Sequence, residues 1–277
     1  MKVVKSLDDL RKSRMSLAQP LGLVPTMGYL HPGHLSLVKA AHTECASVAV
    51  SIFVNPTQFG PREDLSRYPR DLERDLALLE AENVDLVWIP EVETMYPDNY
   101  QSWISVDNLT QRLEGEIRPD HFRGVTTIVA KLFNAVQPQK SFFGQKDAQQ
   151  AQVIFQMVKD LNYPIEIKVC PIVRESDGLA MSSRNTYLNP QERKAATVLS
   201  RALQTAKKEF DLGMRDANLI KQVMSSVFEK EPLARVQYIA CVNPDTFEEA
   251  REIDGKALLL LAVFIGSTRL IDNLILG

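Results

Sequence analysis

Residues 21–38 read LGLVPTMGYLHPGHLSLV and pass from an apolar run through a turn into an amphipathic pattern. The run Leu21–Val24 is typical of a short buried strand. A turn with two glycines, two prolines and two histidines follows, and from Gly33 the apolar side chains recur at helical spacing. A strand, a glycine-bearing turn and a helix start together build an anion site, because free backbone N–H groups and the helix dipole point at one place. We therefore expect a phosphate group beside His31 and His34.

The chain beyond this turn alternates between strands and helices. A short helix is expected after Ser6, and the helix that starts near Gly33 is expected to run to about Glu44. Residues 47–54 (SVAVSIFV) are nearly all apolar, as in a strand buried on both faces. Further patterns predict helices over 72–82, 124–136 and the segment after 147, and strands over 84–89, 103–106, 140–143 and 164–173. This rhythm predicts an α/β fold, a Rossmann-like parallel sheet with helices on both faces.

The pattern changes after Arg174. Residues 175–185 are polar, and two helices over roughly 190–210 and 216–229 are predicted before three strands at 236–242, 257–265 and 269–276. Helices followed by consecutive strands indicate a smaller C-terminal α+β domain. We expect residues 1–175 to form the first domain and residues 176–277 the second.

Composition excludes several classes of protein. The 277 residues carry a formal net charge of −3, with 45% hydrophobic and 24% charged residues, which predicts no nucleic-acid or membrane partner. The start MKVVKSLDDLRKSR lacks an apolar signal segment, and no window reaches transmembrane length, so a cytoplasmic location is expected. Three distant cysteines indicate neither a zinc site nor a disulfide framework.

Two of the four histidines stand three residues apart in the first turn, as His31-Pro32-Gly33-His34. Two surface histidines beside a helix cap are the alternative interpretation, since short motifs also occur by chance. The position after a strand favours a functional role, because Gly33 permits close approach of a ligand.

These residues resemble the His-x-Gly-His nucleotidyltransferase superfamily, and Met181-Ser182-Ser183-Arg184-Asn185 occupies the place of its second, serine-rich loop. A larger set of stretches narrows the resemblance from the superfamily to one family, because together they resemble the pantothenate synthetase family. In chain order they are PTMGYLHPGH (25–34), FVNPTQF (53–59), HFRGV (121–125), FFGQKDAQQ (142–150) and DGLAMSSRN (177–185). One such motif is weak evidence for a family, whereas five motifs in this order over nearly the whole chain are specific to one.

The resemblance implies an ATP-dependent ligase that joins pantoate to β-alanine through a pantoyl-adenylate and releases AMP and pyrophosphate. It also implies Mg²⁺ and a homodimer. No catalytic serine or cysteine is needed, because the pantoate carboxylate itself attacks the α-phosphorus. The reaction instead requires cations and hydrogen-bond donors aimed at the phosphates.

Residue roles are carried over by the same resemblance. It implies His34, His31 and Lys146 as catalytic groups, with Gln58 and Gln150 binding pantoate and β-alanine. It implies that ATP is held by Met27, Gly28, His31, His34, Gly144, Gln145, Lys146, Asp147, Val173, Met181, Ser182, Ser183 and Arg184. The C-terminal domain is expected to close over this ATP site.

Several of these residues have a plain structural interpretation as well. Lys146 can be a solvated surface lysine, and Asp147 with Gln150 has the D-x-x-Q spacing of a capping box. The Ser182–Arg184 stretch also fits an exposed linker. A polar loop with Arg118, His121 and Arg123 can meet the β-alanine carboxylate, although a solvated loop is the simpler expectation. The acidic run Asp71, Glu73 and Asp75 is expected on a solvated helix face rather than around Mg²⁺.

Three other functions remain as alternatives. A nucleotidyltransferase of the same superfamily that acts on a phosphorylated acceptor shares the histidines, but needs additional basic groups for the acceptor phosphate. A nucleotide-binding regulator without turnover does not need a cluster of groups around the α-phosphate. A tRNA synthetase is disfavoured by the acidic net charge.

Overall fold

A computed structural model describes residues 1–61 and 63–277 of the chain. These residues form two compact units. The first comprises Met1–Gln145 and Gln149–Pro171, and the second comprises Lys146–Ala148 and Ile172–Gly277. In the part of the chain described, no helix combines the length and apolar character needed to cross a membrane.

The first unit is built on six strands: β1 (Lys2–Val4), β2 (Leu21–Thr26), β3 (Ser47–Ile52), β4 (Leu86–Trp88), β5 (Lys140–Gly144) and β6 (Glu166–Cys170). Its helices are α1 (Leu7–Arg14), α2 (Pro32–Glu44), α3 (Leu72–Ala81), α4 (Val92–Met95), α5 (Glu114–Ile117), α6 (His121–Val136) and α7 (Ala148–Asp160). Two 3₁₀ turns, Pro56–Gln58 and Gln145–Asp147, follow β3 and β5. Lys146 and Asp147 of the second turn, and Ala148 at the start of α7, belong to the second unit. The alternation of strands and helices predicted from the sequence is confirmed.

The sheet is parallel throughout, with the strand order β1-β4-β3-β2-β5-β6. Strand β2 pairs with β3 from Leu21↔Ser47 to Thr26↔Ile52, and with β5 at Gly22↔Lys140 and Leu23↔Ser141. The chain therefore builds outward on one side of β2 and resumes on its other side with β5. Ligands of open parallel sheets bind at such a change of direction, outside the carboxyl ends of the strands.

Both faces of the sheet are covered by helices, as expected. Gly22 and Val24 face α2, and a Cβ on Gly22 would lie 2.9 Å from Cys45 Sγ and 3.3 Å from the Ala41 Cβ. Leu21 and Leu23 point the opposite way and are fully buried on the face where α6 packs against β2. The apolar run of β2 is thus explained by burial on both sides.

The predicted strand at Trp103–Val106 is wrong. No strand forms there, because the backbone of Ile104 is held by side chains of α6 instead of by a neighbouring strand. The Ile104 N–H donates to Thr127 Oγ1 at 3.0 Å, and its carbonyl accepts from Thr126 Oγ1 at 2.6 Å. An extended β-branched segment can therefore satisfy its hydrogen bonds without joining the sheet.

The second unit contains helices α8 (Pro190–Ala195), α9 (Val198–Asp211) and α10 (Ala217–Phe228) and a 3₁₀ turn at Ser183–Tyr187. Its strands β7 (Ala234–Val242), β8 (Ala257–Ile265) and β9 (Thr268–Leu276) form an antiparallel sheet. The predicted helix over 190–210 is two helices, since the chain turns at Ala196 and Thr197, where Thr197 Oγ1 bonds back to the Lys194 carbonyl at 2.8 Å. The α+β character of this part is confirmed.

Candidate active site

The turn between β2 and α2 has an unusual backbone. Gly28 and Tyr29 both adopt left-handed conformations, with φ of 78° and 50°. Gly28 also has no room for a side chain, because a Cβ there would lie 3.0 Å from Asp75 Oδ2 and 3.1 Å from Ile52 Cγ2. Asp75 lies on α3 and accepts hydrogen bonds from the N–H groups of Tyr29 and Leu30, each at 2.7 Å. The expectation that Asp75 belongs to a solvated helix face is therefore wrong.

His31 and His34 cap the first turn of α2 with their own rings. His31 Nδ1 accepts from the Gly33 N–H at 3.1 Å, and His34 Nδ1 accepts from the His31 N–H at 3.3 Å, which makes a capping box. The two ring centroids lie 3.9 Å apart, and both side chains are half-buried. A neutral imidazole that accepts at Nδ1 carries its proton at Nε2. In each ring the remaining donor group is therefore Nε2–H.

This arrangement corrects the prediction of free backbone donors at the helix start. The N–H groups of Tyr29 and Leu30 are taken by Asp75, and those of His31 and Gly33 are taken by the imidazoles. These four N–H groups are therefore engaged within the protein, and the helix N-terminus lies behind the two imidazoles. The helix dipole still acts there, because it places partial positive charge behind both rings.

Gln58 ends the 3₁₀ turn after β3. Its Nε2 lies 3.1 Å from the sulfur of Met27, and its Oε1 accepts from Asn55 Nδ2 at 3.1 Å. Met27 directly follows β2, so the ends of two neighbouring strands meet in this contact. Gln58 and the two histidines therefore lie at one edge of the sheet, as expected from the order of the elements.

Asn55 is buried and ties this turn to its surroundings. Its Nδ2 also donates to the Gly124 carbonyl at 3.1 Å, and its Oδ1 accepts from the hydroxyl of Tyr96 at 2.9 Å. Burial raises the pKa of Tyr96 to about 12, so the phenol stays protonated as the donor. Helix α6 approaches closely, since a Cβ on Gly124 would lie 2.5 Å from the Thr57 carbonyl oxygen. Only its place in the FVNPTQF stretch could have pointed to Asn55 beforehand.

Arg118 and His121 do not form a solvated loop, so that expectation is wrong. Arg118 makes a two-pronged ion pair with Glu63 at 2.7 and 2.8 Å. His121 is buried, and its Nδ1 lies 2.9 Å from the Gln58 carbonyl oxygen. Burial, with the Arg118 charge adding to it, lowers the pKa of His121 to about 4. A neutral His121 therefore donates to Gln58 and fixes the backbone of that turn.

Arg123 differs from these two residues because it is exposed. Its guanidinium lies 4.5 Å from the Trp103 ring centroid and 3.4 Å from Asp120 Oδ1. These contacts hold it at the surface and give it no place in the Gln58 network.

Gly144 and Gln145 lie at the carboxyl end of β5, next to β2 in the sheet, and α7 carries two adjacent glutamines. Gln149 is buried and structural: its Nε2 donates to the carbonyls of Leu109 and Arg112 at 2.7 and 2.8 Å. Gln150 is half-buried, and its side chain forms no hydrogen bond with residues 1–61 or 63–277. Of the two amides, Gln150 is the one available to a ligand.

Lys146 and Asp147 belong to the second unit, in the 3₁₀ turn before α7. The Lys146 carbonyl accepts from Asn273 Nδ2 at 3.0 Å, while its amine pairs with no carboxylate in the described part of the chain. The predicted capping box is wrong, since the Asp147 carboxylate accepts no hydrogen bond from the residues described. The reason is that the 3₁₀ turn already holds Asp147 in a helical segment rather than at an N-cap.

Val173 and Met181 face each other across a short hairpin in the second unit. The Met181 N–H donates to the Val173 carbonyl at 3.0 Å, and Arg174 pairs with Ala180 in an antiparallel bridge. Arg174 also makes a two-pronged pair with buried Asp272 at 2.7 and 2.9 Å. The hairpin that carries these predicted residues is therefore anchored to β9.

Ser182 is the N-cap of the 3₁₀ turn Ser183–Tyr187, and its Oγ accepts from the Arg184 N–H at 3.3 Å. Ser183 is buried, and Arg184 is half-buried. This is an ordered element of the second unit rather than the exposed linker of the alternative interpretation.

The described residues contain no group of three or more histidine, cysteine, aspartate or glutamate side chains able to hold a metal ion. Of the acidic run on α3, Asp71 caps the helix through the Arg74 N–H and Asp75 is engaged by two backbone N–H groups. Asp71 and Asp75 of this run thus have structural roles in the described chain.

Comparisons with known proteins agree with one another. The family model described as pantoate-beta-alanine ligase matches residues 2–275. A pantothenate synthetase from Thermoanaerobacter sp. (strain X514) is 58% identical over 99% of this chain and 98% of its own length. One from Roseiflexus sp. (strain RS-1) is 56% identical over 100% of this chain and 99% of its own length.

Solved structures show the same likeness. The pantothenate synthetase from Thermus thermophilus has a TM-score of 0.95 and 46% identity, and the match covers 99% of both chains. The pantoate-beta-alanine ligase from Francisella tularensis, solved with beta-gamma ATP and beta-alanine, has a TM-score of 0.83 and 34% identity over 99% of this chain and 97% of its own. Sequence and fold therefore point to one family.

Proposed function

This chain belongs to the pantoate–β-alanine ligase family, and we propose from that premise how its residues join pantoate to β-alanine with ATP. The enzyme is an ATP-dependent acid–amine ligase. In the first step a pantoate carboxylate oxygen attacks the α-phosphorus, the bond to the β-phosphate oxygen breaks, and pyrophosphate leaves. In the second step the β-alanine amine attacks the acyl carbon, AMP leaves with the electron pair of the acyl–oxygen bond, and the nitrogen releases a proton to the solvent as the amide forms.

His34 and His31 are the central groups of the first step. Negative charge grows on the phosphate oxygens as pyrophosphate departs, and each well-aimed donor is worth on the order of 3 kcal/mol. The single observation that carries this proposal is the pair of rings whose Nδ1 atoms are both engaged by the start of α2. Neutral Nε2–H donors are then fixed before the reaction, which avoids reorganisation during it.

Gln58 and Gln150 are proposed to bind pantoate and then the incoming β-alanine. An amide can donate to a carboxylate and accept from a hydroxyl or an amine. The Asn55 contact orients Gln58 so that its nitrogen points toward Met27. This network supports a fixed amide, as selective binding of a small acid requires.

The proposed ATP contacts include Met27, Gly28, Gly144 and Gln145. Lys146 supplies a cation for the phosphates, a role supported by an amine that no carboxylate of the described chain neutralises. The remaining proposed contacts are Asp147, Val173, Met181, Ser182, Ser183 and Arg184, where two hydroxyls and a guanidinium suit a triphosphate.

Mg²⁺ is proposed to arrive as part of the substrate, bound to ATP. The side chains described do not fit a metal centre of their own, so phosphate oxygens and water supply its ligands. The homodimer, the cytoplasmic location and closure of the C-terminal domain over ATP stay predictions.

The decisive assay incubates the protein with Mg-ATP and pantoate, with and without β-alanine. We expect exchange of labelled pyrophosphate into ATP that requires pantoate but not β-alanine, and release of AMP only when both are present. Exchange that ignores pantoate and responds to a phosphorylated acceptor would support the alternative nucleotidyltransferase and overturn the ligase. A folded Gln150→Ala variant with a wild-type KM for pantoate and for β-alanine would contradict the role proposed for Gln150.

A further inference from the structure

Asp75 is a buried carboxylate with no role in the chemistry described above. It lies on α3, yet its hydrogen bonds reach the turn that precedes α2. Only 1% of its surface is exposed, unlike Asp71 and Glu73 on the same helix. A buried charged group has to be compensated, and in the described chain both of its side-chain partners are backbone N–H groups.

The two hydrogen bonds are short and use both carboxylate oxygens. Oδ2 accepts from Tyr29 and Oδ1 from Leu30, at 2.7 Å each, which is the range of charge-assisted bonds. Burial raises the pKa of Asp75, and these two bonds oppose that effect. The carboxylate thus accepts from two consecutive N–H groups of the turn.

The backbone held in this way is in a conformation that side chains disfavour. Tyr29 has a φ of 50°, in the left-handed region that non-glycine residues seldom adopt. Gly28 before it is also left-handed and lies against the carboxylate. A turn of this kind persists only when its surroundings impose it.

The clamped residues adjoin the proposed donors directly. Leu30 is followed by His31, the N-cap of α2, and His34 accepts from the His31 N–H at 3.3 Å. A shift of the Leu30 N–H therefore passes through one residue to both rings. Displacements of about 1 Å at a reacting group can cost about 100-fold in rate.

We propose that Asp75 is a positioning residue of the adenylation site, whose carboxylate holds the Tyr29–Leu30 turn so that His31 and His34 meet the nucleotide. This inference rests on the proposed function of the two histidines. It adds a residue that touches neither substrate and acts through the backbone of the turn.

The test compares Asp75→Asn with Asp71→Asn. Asparagine at 75 keeps one acceptor and puts an N–H group against the second backbone N–H, whereas Asp71 caps the same helix without touching the turn. We expect pantoate-dependent pyrophosphate exchange to fall about 10- to 100-fold in Asp75→Asn and to stay within about threefold of wild type in Asp71→Asn. The reaction of preformed pantoyl-adenylate with β-alanine should fall less than the exchange.

A second readout follows the rings themselves. In ¹H–¹⁵N spectra of the histidine side chains, Asp75→Asn should shift the His31 and His34 signals, and Asp71→Asn should leave them in place. A purely structural role for Asp75 lowers the melting temperature but leaves both the exchange rate per folded molecule and these signals unchanged. That result would overturn the proposal.

Two further measurements cover poor folding of Asp75→Asn. Asp75→Glu keeps the charge but moves the carboxylate by one methylene, and it should show the same ring shifts and loss of exchange. In the wild-type enzyme the Tyr29 and Leu30 amides should be strongly protected from hydrogen exchange, and unprotected amides would refute the clamp. If the wild-type enzyme showed no pantoate-dependent exchange while the ring signals moved, the proposed function would fail and the clamp would stand.

Discussion

Gly124→Ala adds a single methyl group on α6 and should damage pantoate binding through the backbone of a neighbouring turn. A Cβ at this position would lie 2.5 Å from the Thr57 carbonyl oxygen and 2.8 Å from the backbone nitrogen of Gln58. Ordinary Cβ contacts begin near 3.4 Å, so the 3₁₀ turn has to move by about 0.9 Å. Both opposing atoms belong to the backbone, which cannot rotate away as a side chain can.

The expected effect on stability is small, because two contributions oppose each other. Overpacking a buried site costs about 1–3 kcal/mol, and alanine favours a helix over glycine by about 1 kcal/mol. We therefore expect the free energy of unfolding to fall by roughly 0–2 kcal/mol. The effect on function should be larger, since a displacement of about this size at a binding group can cost about 10- to 100-fold.

Steady-state kinetics of AMP release separates the two effects. In Gly124→Ala we expect the KM for pantoate to rise by about 10- to 100-fold and the KM for ATP to change little. Gly60→Ala is the matched control, because its Cβ would meet only the Glu63 side chain at an ordinary 3.7 Å. A folded Gly124→Ala enzyme with a wild-type KM for pantoate would refute the link between α6 and Gln58.

Three further predictions concern the histidines and the second unit. His34→Asn keeps an acceptor near the Nδ1 position but lacks the Nε2–H donor, so pantoate-dependent pyrophosphate exchange should fall by about 10²- to 10³-fold at unchanged melting temperature, and near-normal exchange would contradict the donor role. In the folded protein the pKa of His121 is about 4, whereas its ordinary value is 6.5. The contribution of the neutral ring to stability, about 3 kcal/mol, is therefore complete above pH 6.5 and is lost as the pH falls toward 4. Melting curves of wild type and His121→Asn should therefore converge in acid, and parallel pH dependences would show that the burial of His121 is not responsible. Asp272→Ala should cost roughly 3–5 kcal/mol in urea denaturation because it strands Arg174, whereas Asp177→Ala at the exposed Arg193 pair should cost at most about 1 kcal/mol.

Much of the fold follows from local pattern. The apolar runs of β2 and β3 and the helical spacing after Gly33 predict their elements, because burial on two faces or on one leaves a periodic trace in the sequence. The strand predicted at 103–106 shows the limit of such patterns. Its β-branched residues fit a strand, but Thr126 and Thr127 on α6 take its hydrogen bonds, and no local pattern reveals that competition.

The candidate site likewise has one part that the sequence predicts and another that it does not. The histidine turn is recognisable because two imidazoles and a glycine follow a strand, a local arrangement. Local patterns do not predict the contacts of Asp75, Asn55 and His121, since each of these side chains binds backbone that is far away in sequence. A carboxylate that binds backbone N–H groups looks, in a sequence, like any other acid on a helix.

The two imidazoles of α2 have a consequence for the dynamics of the enzyme. They are the caps of the helix as well as its proposed donors, so the first turn of α2 cannot fray without withdrawing both rings. Local opening of a helix end usually has no effect on activity, but here the molecule would be inactive while the first turn of α2 is open. Hydrogen exchange at the Gly33 amide would then report the fraction of molecules that are momentarily inactive.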